Sequence, residues 1–191
     1  MGVMRVVFYL FFLFIVIERI IELMIAKRNE RILKAMGARE FGVRHYRWIV
    51  IMHILFLFSF AFESLAKGAA LSPWWPLLSG LFAATQGLRV WTLWSLGRFW
   101  NTKILVLPNA EVVAKGPYRW LRHPNYVVVV LEMWLIPLMF QAYGTALVFS
   151  AINAVMLAIR IDMEEKALRS LTNYADLLDE RPRFLPLRPV K

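Results

Sequence analysis

Five apolar runs, separated by short polar segments, limit what this chain can fold into. They occupy residues 6–26, 48–66, 74–96, 126–140 and 145–160. A helix needs about 20 apolar residues to cross roughly 30 Å of hydrocarbon. Of the 191 residues, 60% are hydrophobic and 19% are charged, which argues against disorder, a coiled coil and an ordinary cytosolic domain. We therefore predict an all-α, polytopic membrane protein with five transmembrane helices.

The first and last runs indicate how these helices are arranged. The first is too long and too charged for a signal-peptide core, so we expect a retained span. The last two are joined by only four residues, which predicts an antiparallel helical hairpin. We expect one structural domain with the following parts: three N-terminal helices in 1–96, with a basic cytosolic loop at 27–47, and a second half in 97–191, with a polar motif at 115–126, the hairpin at 126–160 and a cytosolic helical tail at 161–191.

The positive charge is concentrated in some of the loops. The chain has 23 Lys and Arg against 13 Asp and Glu, a net charge of +10. Such a surplus can indicate nucleic acid or anionic lipid, but seven basic residues fall between the first two runs and none lies in the hairpin joint. The positive-inside rule then places the N-terminus outside and the C-terminus in the cytosol. We expect contact with membrane lipids and no nucleic-acid partner.

Charged side chains also lie inside the predicted spans. Glu18 and Glu22 in the first span and Arg89 in the third fall at similar depth, so an ion pair between them would offset two costly burials. This pair is expected to join helices, with a role in a substrate pocket left as the alternative. The chain has no cysteine and its three histidines are dispersed, so we expect neither disulfides nor a metal site.

The polar motif combines turn, basic and aromatic residues. Residues 115–126 read Lys-Gly-Pro-Tyr-Arg-Trp-Leu-Arg-His-Pro-Asn-Tyr. Pro124 can open the fourth helix, whose N-terminal amides favour an anion. The motif therefore predicts a site for an anionic or zwitterionic small molecule at the membrane surface. Interfacial anchoring is the alternative, and we favour it for Arg119 and Trp120.

These residues resemble the isoprenylcysteine carboxyl methyltransferase family of integral-membrane enzymes that use S-adenosylmethionine. The shared elements are a family-like entry at 97–102, Gly-Pro-Tyr-Arg at 116–119, Arg-His-Pro-x-Tyr at 122–126, a Glu-Glu pair at 164–165 and Arg-Phe-Leu-Pro at 183–186. The resemblance covers roughly residues 95 to 187. One departure lies around Asn125, because many members have a small residue there and a glycine two places after the tyrosine.

The N-terminal half is similar to small bacterial members associated with type III polyketide synthases. Its matching segments include 18–23, 26–29, 37–40 and 45–46. This likeness implies a bacterial cytoplasmic-membrane enzyme that methylates the oxygen of a long-chain hydroxypyrone or phenol. The wider family implies the carboxylate of a prenylated cysteine instead. In either case the lipophilic acceptor is expected to enter from the bilayer.

The resemblance also implies which residues hold the cofactor. We expect His123 and Arg122 at its carboxylate and aromatic rings at its adenine or sulfonium. Glu165 is expected to face its ammonium or ribose, with Glu164 held by Arg160 or Lys166, and the opposite arrangement is left open. The full expected cofactor set is Trp100, Lys115, Gly116, Tyr118, Arg122, His123, Pro124, Tyr126, Arg160, Glu164 and Glu165.

A phenolic acceptor adds a requirement for a base. Its pKa resembles the tyrosine value of about 10, so His123 or Glu132 within hydrogen-bond reach is the expected catalytic residue. A carboxylate acceptor is already ionised and needs none. Two other functions compete with methyl transfer. Nicotinamide-dependent (NADPH) sterol-type membrane reductases carry a related Arg-His-Pro-x-Tyr tail but tend to have more spans, and a membrane adaptor or transporter subunit would bind neither cofactor.

Overall fold

A computed structural model describes residues 2–178 and 181–184 of the chain. A helix lies on each of the five apolar runs. Of these, α2 and α5 are long and apolar enough to cross a membrane by length and composition, and α4 is a shorter apolar helix. The helices are α1 (Val3–Ala35), α2 (Val43–Ala66), α3 (Trp75–Leu96), α4 (Pro124–Met139), α5 (Tyr143–Leu171) and the short α6 (Tyr174–Leu178).

Two helices continue well beyond the predicted spans. α1 runs on to Ala35 and α5 to Leu171, because the residues that follow each apolar run are mostly good helix formers such as Lys, Arg, Glu, Leu and Ala. α1 stops where Gly37 adopts the left-handed conformation with φ of 93°, and the N–H of Ala38 donates to the carbonyl of Leu33. The expected helical tail is thus partly the extension of α5.

A small antiparallel sheet departs from the all-α prediction. Strand β1 (Arg39–Phe41) pairs with β2 (Ile104–Val106), with Arg39 opposite Val106 and Phe41 opposite Ile104. Strands of three residues are too short to show an alternating pattern in the sequence. Ile104 and Val106 are buried and pack with Ala167 of α5, so the sheet fixes the segment after α3 against the C-terminal part of α5.

Aromatic rings hold α1, α2 and the hairpin together at one end of the bundle. The ring centroid of Phe8 lies 5.5 Å from that of Phe60 and 5.2 Å from that of Phe140. Nearby, the Glu63 carboxylate of α2 accepts hydrogen bonds from the backbone N–H groups of Gly144, at 3.1 Å, and Thr145, at 2.7 Å. This carboxylate satisfies donors that the first turn of α5 leaves unpaired.

Large apolar side chains cover much of the outer surface of the helices. Phe58, Phe62 and Trp94 expose 70%, 77% and 79% of their surface. Water-soluble monomers rarely expose contiguous apolar patches of more than a few hundred Å². These outer faces are therefore suited to contact with lipid.

An ion network joins α1, α3 and α4 in the middle of the bundle. We use "ion network" for Glu18, Arg19, Glu22, Arg89 and Glu132. The Arg89 side chain, 4% exposed, pairs with Glu22 and with Glu132, and Arg19 pairs with Glu22 at 2.7 Å and with Glu132 at 3.2 Å. The predicted Arg89–Glu22 pair is confirmed, and Glu132 is a further partner that the sequence did not indicate.

Candidate functional site

A cavity lies where the end of α3, the segment 99–106, the start of α4 and the C-terminal part of α5 meet. It encloses about 540 Å³ of empty space, its open mouth included. Leu96, Phe99 and Leu168 contribute apolar surface, and the Tyr118 and Tyr126 rings contribute aromatic surface. The remaining lining residues are Trp100, Asn101, Lys103, Ile104, Leu105, Val106, His123, Asn125, Arg160 and Glu164.

The Gly-Pro-Tyr-Arg turn reaches this cavity because its glycine packs directly on α3. Gly116 has φ of 57°, and a Cβ added to it would lie 2.0 Å from the Ser95 Oγ and 3.1 Å from the Trp91 Nε1. Only glycine fits that approach without displacing α3 side chains. The turn then buries Tyr118 in the cavity wall, where burial raises the pKa of its hydroxyl well above the usual value. Tyr118 therefore stays protonated at neutral pH.

Three side chains form a hydrogen-bonded chain across the wall between α4 and α5. Arg160 donates from Nε to the Tyr126 hydroxyl at 2.7 Å and from Nη2 to the Thr102 carbonyl at 2.7 Å. The Tyr126 hydroxyl donates in turn to Glu164 Oε2. These hydrogen bonds fix the Glu164 carboxylate at the cavity. The Tyr126 hydroxyl binds Oε2, and the other carboxylate oxygen, Oε1, takes no part in that hydrogen bond.

The neighbouring carboxylate, Glu165, faces away from this chain. It is 1% exposed, and its Oε1 lies 3.0 Å from His123 Nε2. Arg183 donates to both of its oxygens, at 2.9 and 2.7 Å, and Arg122 lies 3.4 Å away. Successive helical residues point about 100° apart, so Glu164 lines the cavity while Glu165 gathers cations behind it. The two are placed the other way round from our expectation, and Lys166 pairs with Asp162 instead.

A C-terminal strap, residues 181–184, lies against the polar motif. The backbone N–H of Arg122 donates to the Pro182 carbonyl at 3.0 Å, and that of His123 donates to the Arg183 carbonyl at 3.3 Å. Arg122 Nε adds a bond of 2.6 Å to the Arg181 carbonyl. The strap thus fixes the backbone just before α4. The predicted Arg-Phe-Leu-Pro element begins in it, and its residues 185 and 186 lie outside the described part of the chain.

His123 connects the cavity to this buried carboxylate. Its ring stacks on Tyr126 with centroids 5.2 Å apart and lines the cavity. When Nε2 donates to Glu165, Nδ1 carries the lone pair. Within residues 2–178 and 181–184, no hydrogen-bond partner occupies Nδ1. His123 therefore links the cavity wall to the buried Glu165 carboxylate.

Comparison with known proteins identifies the segment that builds this site. The model of the isoprenylcysteine carboxyl methyltransferase family matches residues 78–170, which include every residue lining the cavity. The chain is 48% identical over 162 residues to the uncharacterized protein YpbQ of Bacillus subtilis (strain 168), a match that covers 85% of this chain and 96% of that protein. The chain belongs to the isoprenylcysteine carboxyl methyltransferase family.

A second relative extends the family match to another bacterium. An uncharacterized protein of Haemophilus influenzae (strain ATCC 51907 / DSM 11121 / KW20 / Rd) is 29% identical over 154 residues, covering 80% of this chain and 90% of that protein. No solved structure matches the chain. Membership of the isoprenylcysteine carboxyl methyltransferase family, together with the apolar helices, indicates an integral membrane protein.

The structure separates the predicted cofactor residues of this family member into two groups. Five of them do not line the cavity: Lys115, Gly116, Arg122, Pro124 and Glu165. Of these, Gly116, Arg122 and Glu165 contact elements that shape the wall. The cavity is lined by the other six: Trp100, Tyr118, His123, Tyr126, Arg160 and Glu164.

Glu132, the other candidate base, lies in the ion network. Along α4 it is about two turns, or roughly 10 Å, from Asn125 at the cavity. Both of its oxygens are engaged, by Arg89, by Arg19 and by Gln86 at 2.7 Å. The structure therefore does not bring Glu132 together with His123.

Sequence reasoning missed three polar residues of the cavity. Asn101 lies inside the predicted family entry but was given no role, Lys103 follows that entry directly, and Asn125 lies inside the motif but was noted only as a departure. Lys103 reaches across to Glu30 at 2.7 Å and Glu40 at 3.3 Å, and its hydrogen bond with Glu30 raises the pKa of the ammonium. The sequence signalled these residues only by their position within or beside the matched motifs. Which way their side chains point is set in the folded protein, where the segment 101–106 pairs through β2 with β1.

Proposed function

We propose that this chain is an S-adenosylmethionine-dependent methyltransferase that modifies an oxygen of a lipophilic acceptor. The observation that carries the proposal is the cavity wall, which combines both signs of charge with aromatic and apolar surface inside the segment matched by the family. The cofactor supplies a methyl group made electrophilic by its sulfonium, and its carboxylate, ammonium and adenine require such a mixed wall.

The residues present fit this cofactor. Glu164, fixed by Tyr126, offers a carboxylate oxygen to the ammonium. Arg160 and Lys103 bring positive charge to the same wall for the carboxylate. The buried Nε1 of Trp100 lacks a partner among the described residues, so the wall holds an unused donor as well. The tyrosine rings favour a sulfonium through their negative faces.

The chemistry assigned to the chain's own groups is orientation and proton transfer. Methyl transfer is an in-line displacement, so positioning the two reactants and excluding water lower much of its barrier. For a phenol or an enol, His123 Nδ1 takes the proton and Glu165 stabilises the imidazolium. The strap residue Arg183 holds Glu165 in place for that role.

We further propose that all five long helices span the bacterial cytoplasmic membrane, with the N-terminus outside and the cavity at the cytosolic face. The clustering of basic residues between the first two runs supports this orientation. α4 has 16 residues, or about 24 Å, so the bilayer thins around it or its start lies below the surface. The acceptor then reaches the cavity laterally, while the cofactor arrives from the cytosol.

Calorimetry on the purified protein in detergent tests the proposal. S-adenosylmethionine is expected to bind and NADPH is not. Glu164→Gln should weaken cofactor binding about tenfold through loss of a charged hydrogen bond. Asp162→Asn is the matched control, because Asp162 lies on the same helix, is exposed and pairs only with Lys166 among the described residues. A folded protein that does not bind S-adenosylmethionine would refute the proposal.

A further inference from the structure

One wall of the cavity is held by a segment from the N-terminal half of the chain. We use "N-terminal clamp" for residues 26–46, from the end of the first apolar run to the first turn of α2. The clamp contacts residues 97–106, which supply the lining residues Phe99, Trp100, Asn101, Lys103, Ile104, Leu105 and Val106. The family match begins only at residue 78. The matched segment therefore supplies these lining residues, while the contacts that hold them come partly from outside it.

Asn29 is the central residue of the clamp. It is 7% exposed, and its Nδ2 donates to the Gly97 carbonyl at 3.1 Å and to the Trp100 carbonyl at 2.7 Å. The Gly97 carbonyl also accepts from the backbone N–H of Trp100, so one amide group binds both ends of this tight turn. In the opposite direction, Asn101 Nδ2 donates to the Ala26 carbonyl at 2.9 Å. These bonds join α1 to the start of the cavity wall.

Further contacts of the clamp continue along the wall. Lys103 Nζ lies 2.7 Å from Glu30 and 3.3 Å from Glu40. In the sheet, Phe41 pairs with Ile104. The clamp therefore binds the wall by side-chain hydrogen bonds at its start, by ion pairs in its middle and by strand pairing at its end.

One contact of the clamp leads to the Glu164 carboxylate. The Tyr46 hydroxyl lies 3.1 Å from the Thr102 Oγ1. The Thr102 carbonyl accepts from Arg160 Nη2 at 2.7 Å. Arg160 Nε in turn donates to the Tyr126 hydroxyl, which donates to Glu164. A displacement of residue 102 would therefore move Arg160 and change how the Glu164 carboxylate is presented to the cavity.

We propose that the N-terminal clamp positions this wall for the ligand, with Asn29 as its main positioning residue, so that residues outside the family match set the affinity for S-adenosylmethionine. This inference rests on the proposed function. Asn29 is not among the lining residues and acts through the backbone at Gly97 and Trp100. Removing its amide leaves two carbonyls without that donor, and a buried acceptor without a partner is costly. The wall can then shift while the aromatic rings and the ion network keep the helices packed.

Hydrogen exchange on the ligand-free protein in detergent tests whether Asn29 holds the wall. In Asn29→Ala, amides of residues 97–106 should exchange at least about tenfold faster, and those of 116–126 should stay within about twofold of the wild type. Asn29→Asp sets a carboxylate against the same two carbonyls and should have a larger effect. Asn29→Ala provides the result if that variant does not fold. Glu63→Gln is the control, because it weakens the cap on α5 at the other end of the bundle.

Calorimetry with S-adenosylmethionine tests whether the held wall sets the affinity. Asn29→Ala should weaken binding about tenfold, while Glu63→Gln should lower the melting temperature with binding within about twofold of the wild type. In the Glu164→Gln background, Asn29→Ala should cost about threefold or less, because the carboxylate that residue 102 helps to orient is already gone. A purely structural role for Asn29 would give the same loss in both backgrounds.

Several outcomes would overturn the proposal. They are unchanged exchange at 97–106 in Asn29→Ala, binding of S-adenosylmethionine by that variant within about twofold of the wild type, an equal loss of binding in Glu63→Gln, and an undiminished loss in the Glu164→Gln background. Failure of the wild type to bind S-adenosylmethionine refutes the proposed function instead. The exchange measurement needs no ligand, so it still decides whether Asn29 holds the wall.

Discussion

The Arg183 guanidinium spans both carboxylate oxygens of Glu165, with N–O distances of 2.9 and 2.7 Å. Glu165 lies on α5 and is buried, whereas Arg183 belongs to the C-terminal strap. The same carboxylate bonds His123, which lines the cavity. One buried anion therefore connects the end of the described chain to the residue assigned as the base.

Removing this anion should destabilise the protein and the site together. In Glu165→Gln, the Arg183 and Arg122 guanidinium groups and the His123 ring lose the carboxylate that they share. We expect a loss of about 1–3 kcal/mol of unfolding free energy, because charged hydrogen bonds to a buried carboxylate are lost while the half-exposed Arg183 side chain can turn to water. Thermal unfolding in detergent measures it, with Asp162→Asn as the control on the exposed side of the same helix. A melting temperature equal to that of the wild type would contradict the role given to Glu165.

The ion network predicts a structural role for Glu132. Glu132→Gln leaves Arg89 and Arg19 with one fewer anion inside the helix bundle, so the unfolding temperature should fall. Glu132→Gln protein that remains folded should show the same pH dependence of methyl transfer as the wild type. His123→Ala should not. The measurement is a pH–rate profile of each variant beside its thermal unfolding curve. A shift of the acidic limb in Glu132→Gln would instead restore Glu132 as a base.

Four charged residues beside the small sheet, Glu30, Lys34, Glu40 and Lys103, should make the stability of the fold depend on pH in the acid range. Hydrogen bonds from Lys34 and, to a smaller extent, from Lys103 lower the pKa of the Glu40 carboxyl below its usual value. A carboxyl group whose pKa is lower in the folded state than in the unfolded state stabilises the fold above its unfolded pKa. This stabilisation is lost as the pH falls through the folded-state pKa. The melting temperature of Glu40→Gln should therefore lie below that of the wild type at pH 7, and the difference should shrink as the pH falls through the lowered pKa of Glu40. High salt should narrow the difference at pH 7, because exposed charges are screened.

Gly116 should tolerate no side chain. Gly116→Ala places a methyl group 2.0 Å from Ser95 Oγ at a residue with φ of 57°, so we expect a loss of about 1–3 kcal/mol of unfolding free energy. Ser95→Gly in the same chain should recover part of it. Gly80→Ala is the matched control, because nothing lies within 4 Å of its added Cβ. A Gly116→Ala protein as stable as Gly80→Ala would contradict the close packing of the turn on α3.

Much of the helical architecture could be predicted from the chain because long apolar runs have few alternatives. α3 coincides with its run almost residue by residue, and α2 ends with its run at Ala66 but begins five residues before it, at Val43. The ends of α1 and α5 did not, because charged residues with good helix propensity extend a helix without an apolar signal. The sheet was missed because the pairing of Phe41 with Ile104 depends on contacts distant in sequence.

The site was predicted by residue type more reliably than by direction. Tyr118 and Tyr126, which were predicted to bind the cofactor, both line the cavity, and their contact with a cofactor stays a prediction. The choice between Glu164 and Glu165 depends on the rotation of α5 about its axis, which packing sets and adjacent sequence does not reveal. The hydrogen bonds from Asn29 to Gly97 and Trp100 were equally hidden, because they join residues far apart in sequence.

The C-terminal strap has a consequence for how this protein is made. Residues 181–184 are synthesised after all five long helices, yet they supply the carbonyls and the guanidinium that hold Arg122, His123 and Glu165 in position. During translation the helices can enter the membrane and pack before the wall of the cavity has its final geometry. The backbone just before α4 therefore reaches its final geometry only after this late segment leaves the ribosome and docks.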